Sequence, residues 1–283
     1  MNESYAFMFC LSRHQKFYSF QDEFLSFLRK QKEFIFKVTL EFIQEKDQSL
    51  ISEICSSVRY KEMLKTKGNY SCLVYGEEKF PDEFYFLKDP PLIFSYLGSE
   101  CWLNTSKLTV VGSRNPTEKS IHWLSYELTQ AICENSWVTV SGGAIGIDQM
   151  AHHLSIRAKK PTIAILPSGI SKIYPLSFAR IVNDILKNGG CLISEFFPFE
   201  DVKKYHFQFR NRLIAALNQK CIVIEAKEKS GSLITGHYVL EMGKSLLVLP
   251  GHPLDPNFKG SHQLIKYGAA IITSSQDLND NLI

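Results

Sequence analysis

Several loops in the second half of the chain carry residue types that hold anions. The apolar run Leu108–Val111 ends in Gly112-Ser113-Arg114-Asn115-Pro116-Thr117. Glycine lets backbone approach a ligand closely, and the helix that follows offers unpaired N–H groups. Arg114 adds a planar donor fork suited to phosphate. Thr117 has the residue type of a helix N-cap. The run Val138–Val140 ends in Ser141-Gly142-Gly143-Ala144-Ile145-Gly146-Ile147-Asp148. Three glycines between a strand and a helix make an oxyanion-binding nest. Later runs end in Pro167-Ser168-Gly169 with Tyr174-Pro175 close behind, in Glu225-Ala226-Lys227-Glu228-Lys229-Ser230-Gly231-Ser232, and in Pro250-Gly251. One such loop serves a tight turn as readily as a ligand. Repeated along one sheet edge, they describe a groove for a string of phosphates.

The segment from Lys203 to Lys220 sharpens that reading. It carries Lys203, Lys204, His206, Arg210, Arg212 and Lys220 with no acidic residue, and Tyr205, Phe207 and Phe209 are interleaved. Basic side chains hold a phosphate backbone, and aromatic faces stack unpaired bases at about 1–3 kcal/mol per base. A solvated helix face would explain the lysines alone. Beside the glycine loops, the segment points to DNA. The alternation also turns some of the aromatics inward, so not all three can stack.

Signals for chemistry are missing. No Ser/His/Asp set and no metal cluster stands out, so the expectation is a site without catalytic residues, metal or cofactor. Asp148, Glu195 and Glu225 read as capping or loop-bracing carboxylates. The Gly-x-Gly-x-x-Gly fingerprint is absent after the first run, which argues against a dinucleotide-binding oxidoreductase.

These loops need a sheet to position them. Strand-like runs are Leu108–Val111, Val138–Val140, Thr162–Leu166, Leu192–Ile193, Cys221–Ile224, Leu246–Leu249 and Ala270–Ile272. Helical stretches such as Glu118–Glu134 and Leu176–Lys187 separate them. The alternation predicts an α/β fold, a doubly wound and mostly parallel sheet covered on both faces. Its ligands would bind beyond the carboxyl ends of the strands. Residues 1–67 contain no glycine and no proline, and Phe24, Leu25, Phe27 and Leu28 recur at helical spacing. Phe36, Leu40 and Ile43 do the same, as do Ile51, Ile54 and Val58. This predicts a small N-terminal helical domain over 1–67 whose aromatics form its core. Residues 68–106, marked by Tyr75-Gly76, Phe80-Pro81 and Asp89-Pro90-Pro91, read as a connector packing on the core. The Rossmann-like domain is expected over 107–283.

Bulk properties set the outer limits. The chain has 283 residues and a formal net charge of +3, so any basic footprint must be local. Its seven cysteines form no Cys-x-x-Cys pair, which favours reduced thiols over a disulfide framework or a zinc site. No basic leader and no apolar run of about 20 residues is present, so a cytoplasmic protein with no membrane partner is expected.

Taken in order, the motifs resemble the DNA-processing protein A (DprA/Smf) family. They are Gly112-Ser113-Arg114, Ser141-Gly142-Gly143-x-x-Gly146-Ile147-Asp148, Tyr174-Pro175, Ser194-Glu195, Phe207-x-x-Arg210-Asn211-Arg212, Glu225-Ala226 and Ser230-Gly231-Ser232-Leu233-Ile234-Thr235. Tyr75-Gly76, Phe80-Pro81 and Leu87-x-Asp89-Pro90-Pro91 resemble the family's lead-in, so the likeness covers about residues 75–272. The resemblance implies an extended Rossmann fold that binds single-stranded DNA as a homodimer. It further implies protection of incoming DNA in natural transformation and help in loading the RecA recombinase. By the same resemblance Arg114 and Lys204 would hold phosphate and Phe207 a base. Gly112, Ser113, Ser141, Gly142 and Gly143 would line the pocket, with Lys203, Arg210, Asn211 and Arg212 beside them.

The chain departs from the family at Ile145, where an arginine is frequent, and at Gly260-Ser261-His262-Gln263-Leu264-Ile265. No winged-helix-like domain is expected after the last strand. The main rival reading is a Rossmann enzyme resembling the phosphoribohydrolases of cytokinin activation, which cleave nucleoside monophosphates. Its Pro-Gly-Gly-x-Gly-Thr-x-x-Glu motif is missing, since the comparable place reads Ser230-Gly231-Ser232-Leu233-Ile234-Thr235.

Overall fold

A computed structural model describes residues 2–30 and 35–278; Met1, 31–34 and 279–283 lie outside it. The expected 1–67 and 107–283 spans therefore both run over residues that are not described. All seven expected apolar runs form strands, and two more precede them. In chain order these are β1 (Ser71–Val74), β2 (Ile93–Gly98), β3 (Lys107–Gly112), β4 (Val138–Ser141), β5 (Thr162–Ile165), β6 (Cys191–Ser194), β7 (Lys220–Ile224), β8 (Ser245–Val248) and β9 (Ala270–Ile271). They make one sheet of order β1-β2-β6-β5-β4-β3-β7-β8-β9. Strands β3 to β9 pair in parallel. The 68–106 segment adds β1 and β2 antiparallel at one edge, with Ser95 opposite Ser194. Every residue of β4, β5 and β6 is buried, because helices cover both faces; that is why these strands read as continuous apolar runs.

The chain steps from β3 out to β4, β5 and β6, then returns to place β7 on the other side of β3. This reversal opens a crevice beyond the carboxyl ends of β3 and β7, where such sheets take ligands. Helices flank the sheet. They include α6 (Glu118–Trp123) and α7 (Thr129–Glu134), joined by a widened π turn, then α8 (Ile147–Arg157) and α9 (Leu176–Lys187). Further on come α10 (Lys204–Ala216), α11 (Gly231–Glu241) and α12 (Lys259–Lys266). The α9 bounds are those its periodicity predicts. The α/β, doubly wound, mostly parallel fold expected from the sequence is the fold observed.

Among the described residues, five α-helices lie N-terminal to the sheet: α1 (Glu3–Leu11), α2 (Gln21–Lys30), α3 (Phe36–Lys46), α4 (Gln48–Ser56) and α5 (Val58–Lys65). Phe7, Phe9, Phe17 and Phe24 are fully buried, so the aromatics are core, as their spacing suggests. Val58 departs from expectation: it is 72% exposed. Ser57 caps a new helix there, its Oγ accepting from the Tyr60 N–H at 3.2 Å, and the apolar stripe restarts. The helices dock on the sheet region through Phe9 against Phe197 at 5.9 Å and Arg59 over the same ring at 4.4 Å.

Candidate nucleic-acid interface

A cavity of about 490 Å³ fills the crevice between β3 and β7. Its floor is the first loop, Gly112 to Asn115. One wall is α10, presenting Lys204 and Phe207. The other is the loop into α11, presenting Lys227, Lys229 and Ser230.

The first loop is fixed by its own bonds. The Ser113 N–H donates to the Ile224 carbonyl at 3.1 Å, and the Ser113 hydroxyl accepts from the Asn115 N–H at 3.2 Å. The backbone N–H and hydroxyl of Thr117 both donate to Glu225 Oε2 at 2.8 Å, while its hydroxyl caps α6 through the Ser120 N–H. Arg114 leaves this frame exposed, with its guanidinium 5.3 Å over the Phe207 ring. Among the described residues, Arg114, Lys204, Lys227 and Lys229 form no ion pair, and all four line the cavity. Four uncompensated cations in one concave site make a focused positive field.

The second loop departs from expectation. It forms an oxyanion nest, but the chain's own carboxylate fills it. Asp148 Oδ2 accepts from the N–H groups of Gly142 at 3.2 Å and Ala144 at 3.4 Å. A Cβ on Gly142 would lie 2.7 Å from both Asp148 and the Arg210 guanidinium, so the glycine makes room for this internal pair. The Ser141 hydroxyl is buried and donates to the Val110 carbonyl at 2.6 Å. Gly143 packs against the Phe178 ring, and its carbonyl accepts from Gln149 at 3.1 Å. Ser141, Gly142 and Gly143 thus bond and pack within the fold, and the chain's own carboxylate occupies the nest.

Gly146 ties the two loops together. Its φ of +89° suits glycine, and a Cβ there would sit 2.3 Å from the Ser113 carbonyl oxygen. That carbonyl accepts the Ile147 N–H at 3.1 Å, so the clash would push the first loop off α8. Gly146→Ala is expected to destabilise the protein by about 1–3 kcal/mol and to weaken anion binding at Arg114. Thermal unfolding and DNA titration of the same sample measure both.

The basic segment divides into two sets. Lys204 and Phe207 face the cavity. Lys203 does not; it sits before α10, with Nζ 2.6 Å from Glu200 Oε1. Arg212 does not either: its two Nη atoms donate to the two Glu195 oxygens at 2.7 Å, and its guanidinium lies 3.9 Å from the Phe209 ring centroid. Arg210 lines the cavity from within, yet it is only 4% exposed. Its Nη1 donates to the carbonyls of Gly142 and Ile165, and burial pulls its pKa down to about 10. Asn211 bridges helices, donating to the Gly231 carbonyl at 3.1 Å. His206 is buried, stacked on Phe196 at 3.9 Å.

Asp148, Glu195 and Glu225 all brace structure, as the sequence suggests. The sequence reading missed Lys227 and Lys229 as cavity cations, because Glu228 between them cancels the local basic signal. Among the described residues, no group of three or more His, Cys, Asp or Glu is placed to hold a metal. None of the described helices is long and apolar enough to cross a membrane.

A doubly wound sheet with a cationic, aromatic-sided crevice at its switch point defines a Rossmann-like protein. The sequence pattern of the family "DNA recombination-mediator protein A" matches residues 71–283, and the chain belongs to that DprA/Smf family. It is 38% identical over 208 residues to the DNA processing protein DprA of Bacillus subtilis, covering 73% of this chain and 69% of the relative. The solved structure of DNA processing protein A from Streptococcus pneumoniae superposes with a TM-score of 0.73 at 31% identity, covering 85% of this chain and 89% of that one. DNA processing protein A from Helicobacter pylori, solved to describe its single-stranded DNA binding mode, gives 0.65 at 32% identity over 74% and 93% of the two chains.

Proposed function

We propose that this protein binds single-stranded DNA along the β3/β7 crevice, protects incoming DNA in the cytoplasm during natural transformation, and assists RecA loading as a homodimer. The observation that carries the DNA reading is the set of four cations without an ion-pair partner, among the described residues, around the half-buried Phe207 ring. Arg114 and Lys204 hold successive phosphates, Gly112 and Ser113 supply the floor, and Phe207 stacks a base. Lys227 and Lys229 draw the backbone from the opposite wall. The protection, RecA and dimer roles rest on family membership. The division into a helical unit over 1–67, a connector and a DNA-binding unit from 107 fits the same reading.

Fluorescence anisotropy with a labelled oligonucleotide and its duplex tests the groove. Single-stranded DNA is expected to bind more tightly than duplex, with affinity falling steeply as salt rises. Arg114→Ala and Lys204→Ala should each lower the salt slope by about 0.7, the share of one phosphate contact on a single strand. Equal affinity for duplex, or unchanged binding by the double variant, overturns the groove. Base release from a nucleoside monophosphate at enzymatic rates would move the reading to the hydrolase instead.

A further inference from the structure

Tyr174 stands beside the groove, partly exposed, against Phe207. Its ring is 45% exposed and makes an edge-to-face contact with Phe207, at 6.0 Å between centroids and 77° between planes. Phe207 in turn lies under Arg114 at 5.3 Å. Neighbouring Ile173 packs inward, on the apolar cluster that holds Phe178 and Ile181. The sequence alone marked Tyr174-Pro175 as a motif without giving it a task.

The loop that carries Tyr174 is held firmly. The Gly169 N–H donates to the Glu200 carbonyl at 2.8 Å, and the Ser171 N–H to the Pro198 carbonyl at 2.7 Å. The Ser168 hydroxyl closes the loop on the Lys172 carbonyl, and the Phe178 N–H starts α9 on the Pro175 carbonyl at 2.9 Å. A large ring on a pinned loop loses little freedom on binding, which favours its use as a contact.

We propose that Tyr174 is a second base-stacking platform, taking the nucleobase next to the one on Phe207 and extending the single-strand site beyond the cavity. The inference rests on the groove proposed above. The nearly perpendicular rings set the specificity. Two bases lying flat on them cannot stay stacked on each other, so the strand must turn between them. A duplex cannot make that turn without losing its pairing, whereas an unpaired strand can.

The test is anisotropy with an oligothymidylate and with the same oligonucleotide made abasic. Tyr174→Ala is expected to weaken oligothymidylate binding by roughly 5- to 150-fold, the range for losing one stacked base. Tyr174→Phe should keep the wild-type affinity, since stacking needs only the ring. The salt slope should not change in Tyr174→Ala, because no phosphate contact is lost. The abasic strand should bind wild type and Tyr174→Ala alike. Unchanged oligothymidylate binding by a folded Tyr174→Ala, with Arg114→Ala weakened, overturns the platform and leaves the groove standing. Equal loss on the abasic strand also overturns it, and points to a structural role or a protein-facing patch. Wild-type binding by Arg114→Ala and Lys204→Ala together would overturn the groove itself.

Discussion

Glu195→Ala is expected to lower stability by about 3–5 kcal/mol, the loss typical when one partner of a buried ion pair is removed. Both side chains are nearly buried, at 7% for Arg212 and 9% for Glu195, and both Nη–oxygen contacts are 2.7 Å. Without the carboxylate, the Arg212 fork keeps the Asp89 and Phe209 carbonyls, at 2.9 and 3.1 Å, and the half-exposed Asp89 carboxylate at 3.9 Å. A buried charge left with carbonyls and one distant, solvent-screened carboxylate is poorly compensated. The melting temperature should fall by roughly 6–20 °C, at about 2–4 °C per kcal/mol for a chain of this size. The control replaces both partners, as Glu195→Leu with Arg212→Met. An ion pair removed whole leaves no orphaned charge, so the double variant should recover most of the loss. Single-stranded DNA affinity, measured where Glu195→Ala is still folded, should match wild type because the pair lies outside the cavity. A strong affinity loss there would return Arg212 to the DNA contacts.

That pair also shows where sequence reading stops. Charge is visible in a sequence, but its compensation is not. Arg212 and Arg114 read alike until Glu195 is found folded against one and, among the described residues, no carboxylate paired with the other. Lys203 and Lys204 are neighbours, yet only Lys203 meets Glu200. The parallel strands were legible because burial on both faces leaves an unbroken apolar run. β1 and β2 were not: they are an antiparallel edge pair set among turns such as Phe80-Pro81, with β2 registered against β6 and β1 against β2. The glycine loops were legible as nests, while their occupants were not. Gly142 would look the same whether it approached a phosphate or Asp148.

Asp148→Ala is expected to produce a loss of similar size by a different route. The side chain is 6% exposed and serves two partners: the buried Arg210 charge and the N–H groups of Gly142 and Ala144. Removing it strands a guanidinium held by two backbone carbonyls and the Asn211 Oδ1, and leaves buried donors unpaired, for a loss of about 3–5 kcal/mol. It also leaves an empty anion site of the chain's own making. Formate should therefore raise the melting temperature of Asp148→Ala more than that of wild type at equal ionic strength, since a ligand that binds only the folded state stabilises it. No selective gain from formate would mean that the nest collapses once its carboxylate is gone.

The same carboxylate gives a pH signature. Burial pushes its pKa up to about 6 against the Arg210 charge and the loop N–H groups, which pull it down. The folded state then holds this proton more tightly than the unfolded chain between about pH 4 and 6. Through that window wild type should gain stability relative to Asp148→Asn as pH falls, by at most about 1.4 kcal/mol per pH unit. Asparagine keeps an acceptor for the two N–H groups but cannot titrate, so denaturant unfolding of the two proteins at several pH values isolates the one proton. Parallel curves would show that Asp148 is already ionised throughout, with Arg210 outweighing its burial.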